Sequence, residues 1–332
     1  MTTTTIRVLS QADVDALLAL GNESSAAALE IVDLMASTFA TFSKRPERAQ
    51  APHRIGVTTD QHKVLFMPSR LDTTTSIKVV SVPLGDSKGG LPGTVLVLDE
   101  ATGSVQAVMN ATALTAVRTA AGSAVATRYF ASQDSKHLLV LGAGAQGRAH
   151  VDMMVAVRPS IERVTIWNRG QERREKLVKD IQDTYPHLKV QGVGMEDLES
   201  AARNADIVCT CTNATEPILK GSWLKSNVHL NCVGSYRLDM HEIDAETVKT
   251  MKALIVDSVE ACKAESGELV ASSSPDQWVE IGNIVADHQD TQHLQRQKTL
   301  FKSVGVSVQD SAIAGLIVKR AEQQTTGSIV PF

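Results

Sequence analysis

The chain has 332 residues, with 43% apolar and 21% charged side chains, enough for two domains and a sizeable core. A formal net charge of −4 gives no general pull toward nucleic acid or an anionic membrane, so neither is expected as a partner and any cationic site must be local. Four cysteines, Cys209, Cys211, Cys232 and Cys262, form no C-x-x-C pair and no cluster with histidine, so no metal is expected.

The start, Met1-Thr-Thr-Thr-Thr-Ile6, shows no cationic-then-apolar leader pattern, and no apolar run is long enough to span a bilayer. A reduced, cytoplasmic protein is the expectation. Residues 10–42 pattern as one or two amphipathic helices. Ser10 is placed to cap the run that begins at Asp13, and Ile31, Leu34, Met35 and Phe39 recur at helical spacing. Between about 50 and 110 the pattern turns to short strands: Val64–Met67, Ser76–Val82 and Thr94–Asp99, separated by Pro, Gly and Asp. Asp99–Gly103 predicts a hairpin turn between Thr94–Leu98 and Val105–Met109, hence an antiparallel, sheet-rich unit. A helix follows from about Thr112 to Phe130, in which Ala116, Ala120, Ala121, Gly122 and Ala124 permit close packing.

From residue 137 strands alternate with helices. His137–Leu141 is a short buried strand that runs into Gly142-Ala-Gly-Ala-Gln-Gly147 and then a helix, the G-x-G-x-x-G arrangement of a dinucleotide site. Gly142 allows the tight turn, Gly144 lets a pyrophosphate approach the backbone, and Gly147 lets helix and strand pack closely. The helix start adds unpaired N–H groups and a positive dipole end. Further strands are expected at Val164–Trp167, Asp206–Cys211, His229–Val233 and Ala253–Asp257, with helices at Gln171–Tyr185 and about Ser307–Gln324. That alternation predicts an α/β fold with a Rossmann-type, doubly wound parallel sheet. Cys209 and Cys211, at strand spacing, are expected as buried thiols.

The end of the second strand decides the cofactor. An NAD site usually carries a carboxylate there for the ribose hydroxyls, whereas this strand ends Trp167-Asn168-Arg169, with Arg173 and Arg174 one turn on. An arginine can hold a 2′-phosphate bidentately, which favours NADPH over NADH. Arg174 reads better as part of a solvated helix face. The expected cofactor-binding set is Gly142, Ala143, Gly144, Ala145, Gln146, Gly147, Asn168, Arg169, Arg173, Thr212, Val233 and Gly234. Ahead of that unit stand three more cations. Lys78 lies inside an apolar strand, where a charge needs a partner or a water-filled site. Arg118 sits on a helix surface otherwise made for packing, and Arg54 precedes the strands. Converging on one cleft, the three would hold a carboxylate; singly, each reads equally well as an ion-pair partner.

Several stretches together resemble the ornithine cyclodeaminase/mu-crystallin family: Ala51-Pro-His-Arg54, Met67-Pro68, Ile77-Lys78, Leu114–Ala121, Leu141–Gly147, Ile166–Arg169, Thr215–Leu219, Val233–Ser235 with Glu242, Ala264–Glu268, and Phe301–Gly305 followed by Asp310. They run through nearly the whole chain in the same order. The resemblance implies a homodimer with an α+β substrate-binding and dimerisation domain of mostly antiparallel sheet (1–130 and 307–332) and a dinucleotide domain (131–306). It also implies that Arg54, Lys78 and Arg118 bind a substrate carboxylate. Trp-Asn-Arg at the second strand is shared with the family's NADPH ketimine reductases. Family cyclodeaminases carry a catalytic Asp in a Gly-Gly-Asp segment, where this chain has Gly234-Ser235-Tyr236. A phenol does not replace an ionised carboxylate, which favours reduction over ornithine cyclisation. The mu-crystallin His ahead of the hairpin strand is matched by Leu91, which removes one proton donor.

The expected function is therefore NADPH-dependent reduction of cyclic imine carboxylates, such as pyrroline-2-carboxylate or piperideine-2-carboxylate, to cyclic amino acids. Lys78, Asp310 or a bound water would supply the proton, in that order, with Asp310 alternatively a cap or ion-pair partner of the last helix. Other readings are an ornithine cyclodeaminase or alanine-type amino-acid dehydrogenase, and a binding protein that keeps the nucleotide pocket with residual activity.

Overall fold

The computed structural model describes residues 5–20, 25–84 and 91–332. In chain order its first elements are β1 (Thr5–Leu9), α1 (Gln11–Leu18), α2 (Ala26–Lys44), β2 (Ala49–Gln50), β3 (Ile55–Thr58), β4 (His62–Leu71), β5 (Thr74–Pro83), β6 (Gly93–Leu98) and β7 (Val105–Asn110). Then come α3 (Thr112–Phe130), β8 (His137–Leu141), α4 (Ala145–Val157), β9 (Arg163–Trp167), α5 (Gln171–Thr184), β10 (Lys189–Val193), α6 (Met195–Asn204), β11 (Ile207–Thr210) and β12 (His229–Cys232). The last are α7 (Ala245–Thr250), β13 (Ala253–Val256), α8 (Val259–Glu265), α9 (Gly267–Ser272), β14 (Trp278–Glu280), α10 (Ile281–Ala286), β15 (Thr299–Lys302), α11 (Val308–Gln324) and β16 (Ser328–Pro331).

The chain divides into two units, one of residues 1–20, 44–118 and 306–332, the other of residues 21–43 and 119–305. The first holds a mixed sheet in the order β16-β1-β7-β6-β5-β4-β2, with β3 also paired to β4. Every pairing is antiparallel except β1 with β7. Ser10 caps α1 as its sequence position predicts, in a reciprocal capping box with Asp13. The Asp99–Gly103 hairpin also forms: Gly103 takes a φ of +71°, and the Asp99 carboxylate accepts the Thr102 N–H at 2.8 Å. β4 runs ten residues straight through Pro68. Proline has no N–H to give a ladder, and on one side of β4 none is called for, because β3 pairs with residues 63–66 and β2 with 70–71. Pro68 falls in the gap.

In the second unit all eight strands are parallel, in the order β10-β9-β8-β11-β12-β15-β13-β14. Chain order reverses between β8 and β11, and ligands of open α/β sheets bind beyond the strand ends at such a point. β8 is buried at every residue, as a strand covered on both faces must be. β10 escapes an apolar reading because it is the sheet edge and mostly solvated.

Two expectations change. Helix α2 and the C-terminal part of α3 group with the nucleotide unit, whereas the expected division placed all of residues 1–130 with the sheet-rich unit. The cause for α2 is packing. Ile31, Val32, Met35 and Phe39 are fully buried, Phe39 meets Phe301 edge-to-face at 6.4 Å, and Asp33 pairs with Arg128. By length and composition α2 is also apolar enough to cross a membrane, contrary to the reading of the apolar runs; here one face of it, six of its nineteen residues, is buried.

Candidate active site

The glycine corner is built by two close approaches. Gly142 has a φ of +115°, and a Cβ there would lie 2.6 Å from the Cys211 carbonyl oxygen. A Cβ on Gly147 would lie 2.0 Å from the Gly142 oxygen, so α4 can start this close to β8 only with glycine. Gly144 differs: a Cβ there would meet nothing within 4 Å. It is the N-cap of α4, with no side-chain cap on the first-turn N–H groups, and Gly144 and Ala145 are exposed. N–H groups without a side-chain cap, beside open space at a positive helix end, suit a pyrophosphate. This is the fit a dinucleotide requires.

At the end of β9 the side chains divide by role. Asn168 accepts the Ala143 N–H at 3.1 Å and donates to the Gly170 oxygen at 2.9 Å, stitching the glycine turn to the next loop. Arg169 and Arg173 are exposed and can meet a phosphate. Arg174, expected on a solvated face, is only partly exposed. It donates to the Asn168 oxygen at 3.1 Å and lies across Gly192, whose Cβ would come 2.9 Å from its Cγ. Thr212, Val233 and Gly234 follow the ends of β11 and β12, next in the sheet after β8. Cys209 is buried as expected, and burial pushes its thiol up to about 12; Cys211, just past β11, is partly exposed. Among the described residues no three His, Cys, Asp or Glu side chains are grouped to hold a metal.

In the sheet-rich unit two of the three cations meet on one carboxylate. Alternation along β5 turns Lys78 inward with Ser76, Val80 and Val82. Its Nζ lies 2.9 Å and 2.8 Å from the two oxygens of Asp310, and Arg118 Nε donates to the first of them at 3.0 Å. Arg118 also donates through Nη1 to Gln309 at 3.0 Å. Lys78 is 1% exposed, Arg118 5% and Asp310 0%, so these charges satisfy one another rather than water. Serines set the fit: Ser311 of α11 bonds Ser69 at 2.7 Å and Ser76 at 2.8 Å, letting the helix start lie close on β4 and β5. Asp310 thus takes the ion-pair role, with no capping bond. Burial, with the charges of Arg118 and Arg54 behind it, outweighs the pull of Asp310 and brings Lys78 down to about 8. Arg54, partly buried ahead of β3, is therefore within electrostatic reach of the pair. Lys78 and Arg118 thus share one buried carboxylate, with the Arg54 charge close enough to be felt by Lys78.

The ornithine cyclodeaminase/mu-crystallin family model matches residues 12–325. The chain belongs to this family. The ketimine reductase mu-crystallin of Rattus norvegicus is 34% identical over 295 residues, covering 86% of this chain and 90% of its own length. A Delta(1)-pyrroline-2-carboxylate reductase of Bacillus cereus is 30% identical over 316 residues, covering 91% and 95%. Among solved structures, the Thermococcus litoralis Delta(1)-pyrroline-2-carboxylate reductase in complex with NADH and L-proline superposes with a TM-score of 0.88 at 28% identity, covering 97% of this chain and 99% of that one. The family's α/β fold, with a Rossmann-type parallel sheet and a mixed, mostly antiparallel one, is the fold of this chain. Tyr236, which the resemblance sets against the cyclodeaminase Asp, is partly buried and packs on the core of the parallel sheet. Leu91 is 46% exposed and has no proton to give.

Sequence reasoning missed Gln309, which no spacing singles out, and the roles of Glu242, Glu268 and Lys302, all buried in the nucleotide unit. Lys302 carries the signal that picked out Lys78, a cation in an apolar strand.

Proposed function

We propose that this chain is a nicotinamide-dinucleotide-dependent reductase of cyclic imine carboxylates, with pyrroline-2-carboxylate and piperideine-2-carboxylate as substrates and cyclic amino acids as products. The observation that carries the reading is the buried cation pair Lys78 and Arg118 on Asp310, with Arg54 in electrostatic reach. The names of the relatives support the same chemistry. The cofactor is NADPH: no carboxylate ends β9 to repel a 2′-phosphate, and Arg169 and Arg173 are free to take one. The protein works as a homodimer through the sheet-rich unit, a reading supported by Ile55 and Val57 of β3, which are 66% and 51% exposed.

When bound, the reduced nicotinamide supplies a hydride to the imine carbon. Gly142, Gly144 and Gly147 let the cofactor's phosphates reach the backbone, and Asn168 keeps that turn in shape. Arg118 and Arg54 hold the substrate carboxylate, which fixes the ring in one orientation. Asp310 orients both Lys78 and Arg118. Lys78, with its pKa near 8, carries a proton at neutral pH and can yield it toward the imine nitrogen, and a bound carboxylate strengthens its hold on that proton. The test is NADPH oxidation against a panel of cyclic imine acids of different ring size, with ammonia release from ornithine, lysine and alanine measured alongside. Imine-dependent oxidation without ammonia release supports the reading. Ammonia release with no imine reduction overturns it.

A further inference from the structure

Beneath the ends of β11 and β12 the nucleotide unit buries a closed polar ring. Glu242 is 0% exposed, and five donors converge on its carboxylate. One oxygen accepts the Thr212 N–H at 2.6 Å and the Thr212 hydroxyl at 2.8 Å. The other accepts the Thr210 hydroxyl at 2.7 Å, the Gly234 N–H at 2.7 Å and the Ser235 N–H at 3.3 Å. The first oxygen thus holds the loop after β11, and the second joins the end of β11 to the loop after β12. Glu242 is itself fixed: its carbonyl accepts the N–H groups of Ile218 and Leu219 at 2.9 and 3.1 Å, and its N–H donates to Glu268 at 2.9 Å. Lys302 on β15 closes the ring, 2.8 Å from Glu268 and hydrogen-bonded to Ser235. The loops are pressed together so tightly that a Cβ on Gly234 would lie 2.1 Å from the Thr212 oxygen and 2.4 Å from Glu242.

We propose that Glu242 is a positioning residue for the dinucleotide: its carboxylate sets the spacing of the Thr212 and Val233–Gly234 loops, and Glu268 and Lys302 hold that carboxylate in place. The inference deepens the reading that these loops line the cofactor site, and rests on it. The ladder between β11 and β12 reaches only to the Val233 N–H, which donates to the Thr210 oxygen at 3.0 Å; what the carboxylate adds is a fixed spacing for Thr212, Gly234 and Ser235 beyond it. Burial and the Glu268 carboxylate raise the pKa of Glu242, Lys302 and the donors oppose them, and the two carboxylates keep Lys302 above its usual range.

The discriminating variant is Glu242→Gln. Its amide is isosteric, but one end must turn an NH2 toward N–H donors, so it can hold one loop only. Binding of NADPH is followed by nucleotide fluorescence at a temperature well below unfolding, with hydrogen exchange read over peptides 205–216, 230–240 and 137–150. The expected result is an NADPH Kd raised about tenfold or more, with faster exchange in the first two peptides and unchanged exchange at the glycine corner. A folded variant with unchanged Kd overturns the proposal. Should Glu242→Gln not fold, Glu268→Gln keeps all five donors and loosens only their anchor; the same direction of change supports the proposal and unchanged affinity overturns it. In the wild-type protein NADPH must itself protect both loop peptides, and loops that gain no protection overturn it whatever the variants do. A wild-type protein that binds neither NADPH nor NADH removes instead the reading beneath it.

Discussion

Lys78 is a cation that β5 turns inward beside Ser76, Val80 and Val82, and its partner comes from 232 residues further along the chain. With its pKa lowered to about 8, the ammonium proposed as the proton donor is lost as pH rises through that value. We expect kcat/KM for a cyclic imine acid to fall above about pH 8, and the fall attributable to Lys78 to vanish in Lys78→Arg, which does not titrate there. The linkage to stability has the opposite sign. Between about 8 and the ordinary 10.5 the unfolded chain binds the extra proton, so stability rises with pH across that window and Lys78→Met flattens the rise. Arg118→Ala is expected to raise KM sharply for carboxylated imines and hardly at all for imines without the carboxylate; equal losses on both would remove the clamp assignment. Arg169→Glu is expected to lower or reverse the preference for NADPH over NADH, measured as the ratio of kcat/KM values. At this scale the sequence is legible where a residue breaks its local pattern. Lys78 interrupts an apolar strand and Arg118 a packing face, so both stand out. Asp310, in the first turn of a helix, looks the same whether it caps or pairs, and only the docking of α11 on β5 decides.

Among elements, the β8–α4 junction states its chemistry in its own residues. Three glycines at fixed spacing follow a fully buried strand, and two of them prove to be positions where a methyl group would strike backbone. Gly147→Ala is expected to weaken NADPH binding about tenfold or more and to lower Tm, because the intruded atom is a carbonyl oxygen with no freedom to move. Gly144→Ala, facing open space, should leave Tm unchanged. Helix α2 tells the other half. Its apolar spacing predicted a helix, but which unit it belongs to depends on Phe39 meeting Phe301, a contact no local window contains. Phe39→Ala is expected to cost about 3–5 kcal/mol, seen as a lower midpoint in denaturant unfolding. Edge strands β10 and β16, and β1 between β16 and β7, escaped notice for the same reason: many of their residues are solvated, so their pairing is written in the neighbouring strand rather than in themselves.

For the whole molecule, strand–helix alternation after residue 137 was enough to foresee the parallel sheet, and turn residues between 50 and 110 were enough for the antiparallel one. The division between units was not, since α3 begins in one and ends in the other. The proposed dimer is tested by sedimentation, where Ile55→Glu with Val57→Glu should shift a species of twice 35.6 kDa toward that mass. The central claim concerns chemistry, and one comparison reaches it most directly: NADPH oxidation by the wild-type protein with a cyclic imine carboxylate and with the same ring lacking the carboxylate. Rapid turnover of the acid and a kcat/KM lower by about two orders of magnitude for the bare imine is the predicted result, the loss of one buried, charge-assisted contact. Equal turnover of the two, or none with the acid, would contradict it.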